Sequence, residues 1–315
     1  MSGKPCNPRG TKYEKNMQIP VPLTSFRVNR PRNTAIPLLV SSPHSGRNYP
    51  SDFLDRASLS FHELQQSEDR FVDRLFENAP DFGATLICAE FPRVWCDVNR
   101  DWREVDAEMF DPPPPDDEVL LTAKVKAGFG VIPRYVSQGR PVYGQPLHLS
   151  EIKDRIAAAW LPYHEALAAL LSEMKARFGY AVLLEAHSMP RLPYARSCDI
   201  VLGDVHGRSC ASGLPDMIEN MLGSLGYSVR RNVPYAGGYI TQYYGRPEQN
   251  IHAVQLEICR SLYLNAATLK PGLGFEQTQR NMQSLLAGLV AWIGSGALSQ
   301  SSAPEAALAV ETSSS

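Results

Sequence analysis

The stretch Tyr180-Ala-Val-Leu-Leu-Glu-Ala-His-Ser-Met-Pro190 (YAVLLEAHSMP) determines the predicted fold. An apolar run bounded by Gly179 and Pro190 is typical of a central parallel strand that is buried on both faces. Polar chemistry begins only where this run ends, at Glu185, His187 and Ser188. Ligands of open α/β sheets bind outside the carboxyl ends of the strands, so His187 is a candidate functional residue.

The surrounding chain alternates short apolar segments with segments of helical periodicity. This pattern predicts a single α/β domain over residues 21–295, with a mixed, largely parallel sheet flanked by helices. The polar segments 1–20 and 296–315 are predicted to be disordered tails. The predicted strands are Ile36–Ser41, Ala84–Phe91, Ala181–Ala186, Asp199–Leu202 and Ala253–Cys259. The predicted helices are Phe61–Asn78, Ser150–Phe178 with a cap at Ser150 and a kink at Pro162, Leu214–Leu225 and Glu276–Ile293.

Composition narrows the class of partner. The 315 residues carry a formal net charge of −2, and Lys and Arg are scattered, which argues against nucleic acid or a membrane surface as partner. No apolar run approaches the ~18 residues of a membrane span, and the six cysteines show no C-x-x-C spacing. We therefore expect a cytoplasmic protein with reduced thiols that acts on a small molecule, and we leave open whether it forms a homo-oligomer.

Two histidines occupy equivalent positions after predicted strands. His44 follows the first strand in LLVSSPHSGRNYP, as His187 follows the third. Either histidine alone is more typical of a hydrogen-bonded turn residue, but two at strand exits could be the base of a serine hydrolase or two ligands of one metal. The chain has no G-x-S-x-G elbow, and Ser45 and Ser188 directly follow their histidines, which is poor geometry for a base and its nucleophile. The pattern favours a metal.

A metal site of this kind needs a carboxylate as well. The segment SEDRFVDRLFENA offers Glu68, Asp69 and Asp73, although acids also favour the start of a helix for electrostatic reasons. Glu185 is a further candidate, because it lies two residues before His187 and shares its face in a regular strand.

Further polar residues follow two other strands. In HAVQLEICRSLY, Glu257 interrupts an apolar run, and a buried carboxylate there is either a catalytic base or the ion-pair partner of Arg260. In FPRVWCDVNRD, Arg100 suits a substrate carboxylate, with a structural pair to Asp97 as the alternative.

A glycine- and tyrosine-rich segment is the remaining candidate. PYAGGYITQYYGRP, residues 234–247, would allow close backbone approach to a ligand and offers hydroxyl donors such as Tyr239. The alternative is a turn-rich hairpin that covers the sheet.

Together these segments resemble the N-formylglutamate amidohydrolase family. SPHSGRNYP, SEDRFVDRLF, DVNR, GFGVIPR, EAHSMP, DIVLGDVHGRSC, PYAGGYIT and HAVQLEICRSLY occur in the family's order from about residue 36 to 264. The resemblance implies a fold related to zinc carboxypeptidases and aspartoacylase, with one metal ion. It implies His44, Asp69 and His187 as metal ligands, Glu257 as general base, and Asn99 and Arg100 as substrate-binding residues. From the glycine- and tyrosine-rich segment we add Tyr239 and Gln242 as candidate substrate-binding residues.

One departure from the family concerns substrate choice. Members associated with histidine degradation read ITRHYG, whereas this chain has Gln242 and Tyr243 at the places of the arginine and histidine. We expect a zinc-dependent hydrolase of N-formyl-L-glutamate. The alternatives are another N-acyl amino acid as substrate, a different metal such as Mn, Fe or Co, or a non-catalytic binding protein on the same scaffold.

Overall fold

A computed structural model describes residues 25–136, 139–193 and 197–300. The strands in these residues are β1 (Phe26–Asn29), β2 (Leu38–Ser42), β3 (Thr85–Ala89), β4 (Phe110–Asp111), β5 (Leu147–His148), β6 (Ala181–Met189), β7 (Ile200–Gly203), β8 (Val229–Arg231), β9 (Ile251–Cys259), β10 (Leu264–Asn265) and β11 (Lys270–Pro271). The helices are α1 (Ser51–Arg56), α2 (Phe61–Gln65), α3 (Val72–Leu75), α4 (Ala123–Lys126), α5 (Ser150–Arg155), α6 (Leu161–Phe178), α7 (Gly213–Ser224), α8 (Tyr239–Tyr244), α9 (Phe275–Gly294) and α10 (Ala297–Gln300).

Seven strands form one mixed sheet in the order β1-β3-β2-β6-β9-β7-β8. The four adjacent strands β3, β2, β6 and β9 run parallel. β1 pairs antiparallel with β3, and β7 pairs antiparallel with β9 but parallel with the edge strand β8. The long strands β6 and β9 pair over nine residues each at the centre of the sheet. The predicted class, a mixed and largely parallel sheet, is therefore confirmed.

Alternate side chains of β6 enter two separate cores. Val182 and Leu184 pack in a core that includes Leu214 of α7 and Leu285 of α9. Leu183, on the opposite face, packs in a second core with Leu167 of α6. Helices thus cover both faces of the sheet, which explains why the strand reads as a continuous apolar run.

The predicted helices Leu214–Leu225 and Glu276–Ile293 agree with α7 and α9 to within one or two residues, but Phe61–Asn78 is not one helix. The chain breaks between α2 and α3, where Phe71 adopts a positive φ of 64°. The cause is tertiary, because the Asp69 amide donates 2.9 Å to the carbonyl of His44 instead of continuing the helix.

The long helix predicted over residues 150–178 is present with an interruption. A π-helical segment, Ile156–Trp160, joins α5 to α6 and ends just before Pro162. A wider turn at this point accommodates a residue that has no amide hydrogen to donate. The predicted cap at Ser150 is wrong, since Leu149 is the N-cap and the Ser150 hydroxyl lies 2.9 Å from His148 Nδ1.

The five predicted strands are β2, β3, β6, β7 and β9 with shifted ends, and β6 extends to Met189, so that His187 lies within the strand. The predicted tails fall largely on residues 1–24 and 301–315, which lie outside the described residues. The cysteines of the described part are unpaired, and Cys6 lies outside it. Among the described residues, no helix has both the length and the apolarity to cross a bilayer.

Candidate active site

The carboxyl ends of β6 and β9 present four polar side chains on one face of the sheet. Glu185 and His187 alternate along β6, and Gln255 and Glu257 occupy the matching register positions on β9. Residues two apart in a strand share a face, so the register brings His187 beside Glu257. All four side chains are buried.

Two loops bring His44 and Asp69 to the same end of the sheet. His44 lies in the turn after β2, and its carbonyl accepts from the Asp69 amide. The Ser45 hydroxyl donates 3.0 Å to the Asp69 carbonyl and accepts 3.1 Å from the Asp73 amide. These bonds fix the segment 69–73 against the histidine turn.

His44, Asp69 and His187 form a compact cluster that could hold a metal ion. Their potential ligand atoms lie within 4.8 Å of one another, and each residue is at most 2% exposed. Asp69 Oδ2 lies 2.9 Å from His187 Nδ1 and 3.4 Å from His44 Nδ1. His44 Nδ1 is buried and has no hydrogen-bond partner in the described part of the chain. A buried nitrogen without a partner is costly, and a metal ion would satisfy it.

The far nitrogens of both imidazoles contact carboxylates. His44 Nε2 lies 2.7 Å from Asp97 Oδ1, and His187 Nε2 lies 2.7 Å from Glu185 Oε1. Such partners hold the proton on Nε2 and leave Nδ1 free to ligate. Asp69 Oδ1 is already occupied by Arg260 Nη2 and the Ser188 hydroxyl, both at 3.1 Å. The atoms that remain are the two Nδ1 atoms and Asp69 Oδ2, a donor set that suits a divalent ion.

The other carboxylate candidates point elsewhere. Glu68 accepts from the Tyr49 hydroxyl at 2.5 Å and pairs with Arg70. Asp73 pairs with Arg27 of β1 and with Arg47 of the loop after β2. Glu185 faces the far side of His187 and accepts a hydrogen bond from Thr241. Of these acids, Asp69 alone belongs to the histidine cluster.

Glu257 is a buried carboxylate without an ion pair among the described residues. Its Oε1 accepts a 2.7 Å hydrogen bond from Gln255 Nε2, and Gln255 Oε1 in turn accepts from the Gly238 amide at 2.6 Å. Burial, opposed by the nearby charge of His187, raises the pKa of Glu257 to about 7. The alternative of a pair with Arg260 is wrong, because Arg260 binds Asp69 and Ser188 instead.

A cavity of about 420 Å³ opens in front of these groups. His44, His187 and Glu257 line it, and so do all four predicted substrate-binding residues, Asn99, Arg100, Tyr239 and Gln242. These residues, which were predicted separately from the sequence, therefore line the same cavity in the structure.

Asn99 is held tightly within this wall. Its Oδ1 accepts 2.8 Å from the Ile240 amide in the first turn of α8, and its Nδ2 lies 3.1 Å from His187 Nε2. A side chain at Gly238 would collide with Asn99, because a Cβ there would lie 2.3 Å from Nδ2. We expected the glycines of this segment to let a ligand approach the backbone, but at Gly238 the missing side chain makes room for Asn99.

Arg100 retains donors for a ligand. Its Nε donates 2.9 Å to the Phe129 carbonyl and its Nη1 donates 2.8 Å to the Asn99 carbonyl. These are backbone contacts, and the alternative of a pair with Asp97 is not observed, since Asp97 pairs with His44 and with Arg93 at 2.6 Å. The guanidinium is thereby oriented but not neutralised.

The glycine- and tyrosine-rich segment forms α8, so the hairpin alternative is wrong. Tyr239 and Tyr243 stack with ring centroids 5.2 Å apart, and Tyr243 is 53% exposed. Gln242 Nε2 donates 2.8 Å to the Gly237 carbonyl, so it is partly committed to its own backbone.

Comparisons with known proteins agree with this geometry. Residues 36–264 match the sequence model of the family described as N-formylglutamate amidohydrolase. The chain belongs to this family. It is 33% identical over 267 residues to an N-formylglutamate deformylase of Pseudomonas aeruginosa, which covers 82% of this chain and 94% of that protein. A Pseudomonas putida protein of the same name is also 33% identical, with 82% and 93% covered.

Solved structures support both the family and the fold. An N-formylglutamate amidohydrolase from Ralstonia eutropha superposes with a TM-score of 0.82 and 35% identity, covering 86% of this chain and 99% of that one. A gene product from Agrobacterium tumefaciens, 21% identical with a TM-score of 0.62, covers 87% and 96% and shows the same fold. The predicted family is confirmed, and every predicted site residue lies within the matched region.

Sequence reasoning missed several residues that the structure places at the site. Gln255 and Arg93 line the cavity, and so does Lys124 of α4. Gln255 could have been found, because it alternates with Glu257 in an otherwise apolar strand. Lys124 gives no such signal, since a lysine in a short polar segment is ordinary.

Proposed function

We propose that this family member is a metal-dependent amidohydrolase that cleaves N-formyl-L-glutamate to formate and L-glutamate. The observation that carries the proposal is the His44–Asp69–His187 cluster, whose histidines face the same cavity as Glu257 and an unneutralised Arg100. The names of the 33% identical Pseudomonas relatives support the substrate.

His44 Nδ1, His187 Nδ1 and Asp69 Oδ2 would hold the metal, which we propose to be Zn²⁺. Two imidazoles and one carboxylate are a common protein ligand set of catalytic zinc. When bound, the ion supplies Lewis acidity, which polarises an amide carbonyl and lowers the pKa of a water molecule. Asp97 and Glu185 keep both imidazoles in the ligating tautomer.

Glu257 would act as general base and then as general acid. Gln255 occupies Oε1, so Oε2 is the atom that would take the proton from the attacking water. The same oxygen would return the proton to the leaving nitrogen as the C–N bond breaks. A carboxyl whose pKa is near 7 suits both transfers at neutral pH.

Arg100 would bind a substrate carboxylate and orient the formyl group toward Glu257. Its contacts to the Phe129 and Asn99 carbonyls fix the guanidinium before substrate arrives, which lowers the entropic cost of the attack geometry. Tyr239 and Gln242 would contact the substrate from α8, and Asn99, which accepts a hydrogen bond from the Ile240 amide of the same helix, would contact it beside them.

A second candidate substrate is a different N-acyl amino acid, favoured by one observation. Gln242 turns its amide to the Gly237 carbonyl and Tyr243 is largely exposed, so α8 brings no positive charge to the cavity. The serine hydrolase alternative has less support, because Ser45 and Ser188 contact Asp69 rather than an imidazole. Cytoplasmic location and self-association stay predictions.

The decisive experiment is formate release from N-formyl-L-glutamate before chelation, after chelation and after zinc readdition, with metal content measured on the same samples. We expect activity to disappear and return with the metal. Bound metal without formate release would show that N-formyl-L-glutamate is not the substrate. N-acetyl-L-glutamate and other N-formyl amino acids would then be compared. Full activity of metal-free protein would contradict the proposed metal dependence.

A further inference from the structure

Lys124 faces the cavity from a short and well-anchored helix. It lies in α4, whose first turn is capped by the Thr122 hydroxyl, which accepts from the Val125 amide at 3.2 Å. The same hydroxyl donates 2.6 Å to Glu104 Oε1, and the Lys124 carbonyl accepts 2.9 Å from the Phe129 amide. Phe129 also receives Arg100 Nε. The backbone of Lys124 is thus tied to the segment that orients Arg100.

The ammonium of Lys124 has no ion-pair or hydrogen-bond partner within the described residues. Nearby acids are committed elsewhere: Asp101 pairs with Arg103, Asp97 pairs with Arg93, and Glu104 accepts from Thr122 and from the Asp101 amide. Lys124 remains open to solvent at the cavity wall. Loss of part of its hydration and then the positive charges of Arg100 and Arg93 lower the pKa of Lys124, and Asp97 and Glu104 oppose this effect. An anion in the cavity would relieve the repulsion among these cations.

A second cavity of about 720 Å³ adjoins the first across this charged wall. Arg93, Arg100 and Lys124 line both cavities. Arg93 is compensated by Asp97, whereas Arg100 and Lys124 are not. Two cations without an ion pair among the described residues, in the cavity that His44 and His187 also line, match the two negative charges of a dicarboxylic substrate, because convergent cations concentrate the field that attracts anions.

We propose that Lys124 is a specificity-determining residue that binds the side-chain carboxylate of an N-formyl dicarboxylic amino acid while Arg100 binds its α-carboxylate. This inference rests on the proposed function and assigns the part of the substrate that distinguishes glutamate from other residues. A charge-assisted hydrogen bond to the ammonium rewards a carboxylate over its amide isostere. The amide would leave Lys124 unneutralised beside Arg100 and Arg93, which adds discrimination.

The test compares N-formyl-L-glutamate with N-formyl-L-glutamine, which has nearly the same shape but lacks the second charge. Lys124→Met removes the ammonium at similar length, Lys124→Arg retains the charge, and Lys126→Met is the matched control on the same helix, since Lys126 lines neither cavity. The readout is kcat/KM for both substrates, with far-UV circular dichroism as a check of folding.

We expect Lys124→Met to lower kcat/KM for N-formyl-L-glutamate about 10- to 100-fold, the range of one charged hydrogen bond, and to leave N-formyl-L-glutamine nearly unchanged. Lys124→Arg should recover most of the preference, and Lys126→Met should equal the wild type. An unchanged preference, or an equal loss on both substrates in folded protein, would overturn the role of Lys124. Wild-type protein that releases formate from neither substrate would instead overturn the proposed function.

Discussion

The two walls of the active-site cavity are built by different principles. The sheet wall consists of His44, His187 and Glu257, which line the cavity, and of Asp69, which contacts His187. His187 and Glu257 lie on β6 and β9, His44 and Asp69 lie on loops at the same end of the sheet, and all four are buried and bonded to further buried groups. The loop wall consists of Arg100, Lys124 and Tyr239, which lie on a loop and two short helices and retain free donors. Under the proposed roles, the sheet wall would carry the reaction chemistry, which needs fixed atoms, and the loop wall would carry substrate recognition, which needs available donors.

The rigidity of the sheet wall follows from its position. β6 and β9 pair over nine residues at the centre of the sheet, with packed cores on both faces. His187 and Glu257 inherit that order from their strands, and the loops of His44 and Asp69 are fixed to each other by the hydrogen bond from the Asp69 amide to the His44 carbonyl. An exposed loop, by contrast, can change without disturbing a core. Substitutions in the sheet wall should therefore affect kcat or metal, and substitutions in the loop wall should affect KM.

Glu257→Gln gives the largest expected effect. Glutamine keeps the shape of the side chain but cannot accept the proton of the attacking water, so kcat should fall by about 10² to 10⁴. Because Glu257 is outside the metal-ligand cluster, the metal content should not change. Measuring kcat and bound zinc on one sample checks both statements. Loss of metal together with activity would make Glu257 a metal ligand, and the sheet wall would then have no separate general base.

Glu185→Gln weakens the support of the proposed ligand His187 without replacing any of the proposed ligands. Glu185 accepts from His187 Nε2 and from Thr241, and such partners of ligating histidines typically contribute about 10- to 100-fold in metal affinity or activity. We expect metal affinity, measured by competition with a chelator, to fall in that range. Glu173→Gln is a control, because Glu173 pairs with Arg30 on the surface. Unchanged affinity would show that Glu185 does not orient the ligand.

Arg100→Ala tests the loop wall. If the guanidinium binds the carboxylate in the ground state and the transition state alike, KM should rise about tenfold or more with little change in kcat. Arg103→Ala is the control, because Arg103 is bound to Asp101 and is not a lining residue of the cavity. A fall in kcat at constant KM would show that Arg100 acts in the chemical step, and the two walls would then not differ in function.

The sheet wall was also the part that sequence could predict. Buried central strands have apolar sequences, so a polar residue near the end of such a strand is easy to recognise. Glu257 and His187 are examples. Their convergence followed from the rule that parallel strands end at one edge of a sheet. The pattern alone favoured a metal at His44 and His187 and left Glu257 as a base or an ion-pair partner. The family resemblance then selected Asp69 as the carboxylate ligand and Glu257 as the base.

The loop wall and the connections around it could not be predicted in the same way. The break between α2 and α3 depends on a hydrogen bond from Asp69 to His44, and α8 depends on the contact of Asn99 with Ile240. These contacts join residues far apart in sequence, where no local pattern records them. Lys124 is meaningful only because the fold sets its ammonium beside Arg100 and Arg93.

His164 supports the loop wall from behind and offers a pH-dependent test of that support. Its Nε2 donates 2.8 Å to the Val98 carbonyl, and its ring packs against Trp160 at an angle of 31° with the centroids 3.9 Å apart. The Trp160 indole in turn donates 2.8 Å to the Arg100 carbonyl. Burial, only partly opposed by the bond to Val98, lowers the pKa of His164 to about 4. The residue is therefore neutral in the folded protein at neutral pH.

The sign of the effect follows from this lowered pKa. Between the unfolded value of about 6.5 and the folded value of about 4, the unfolded chain holds more protons, so the free energy of unfolding rises with pH. Acidification from pH 7 to pH 5 should cost the wild type about 1 to 2 kcal/mol more than His164→Gln, which cannot take up the proton. Urea unfolding of both proteins at the two pH values, at equal metal content, measures this difference. If the wild type and His164→Gln lost the same free energy of unfolding, the pKa of His164 would be the same in the folded and unfolded protein. The contacts with Trp160 and Val98 would then not keep His164 away from solvent.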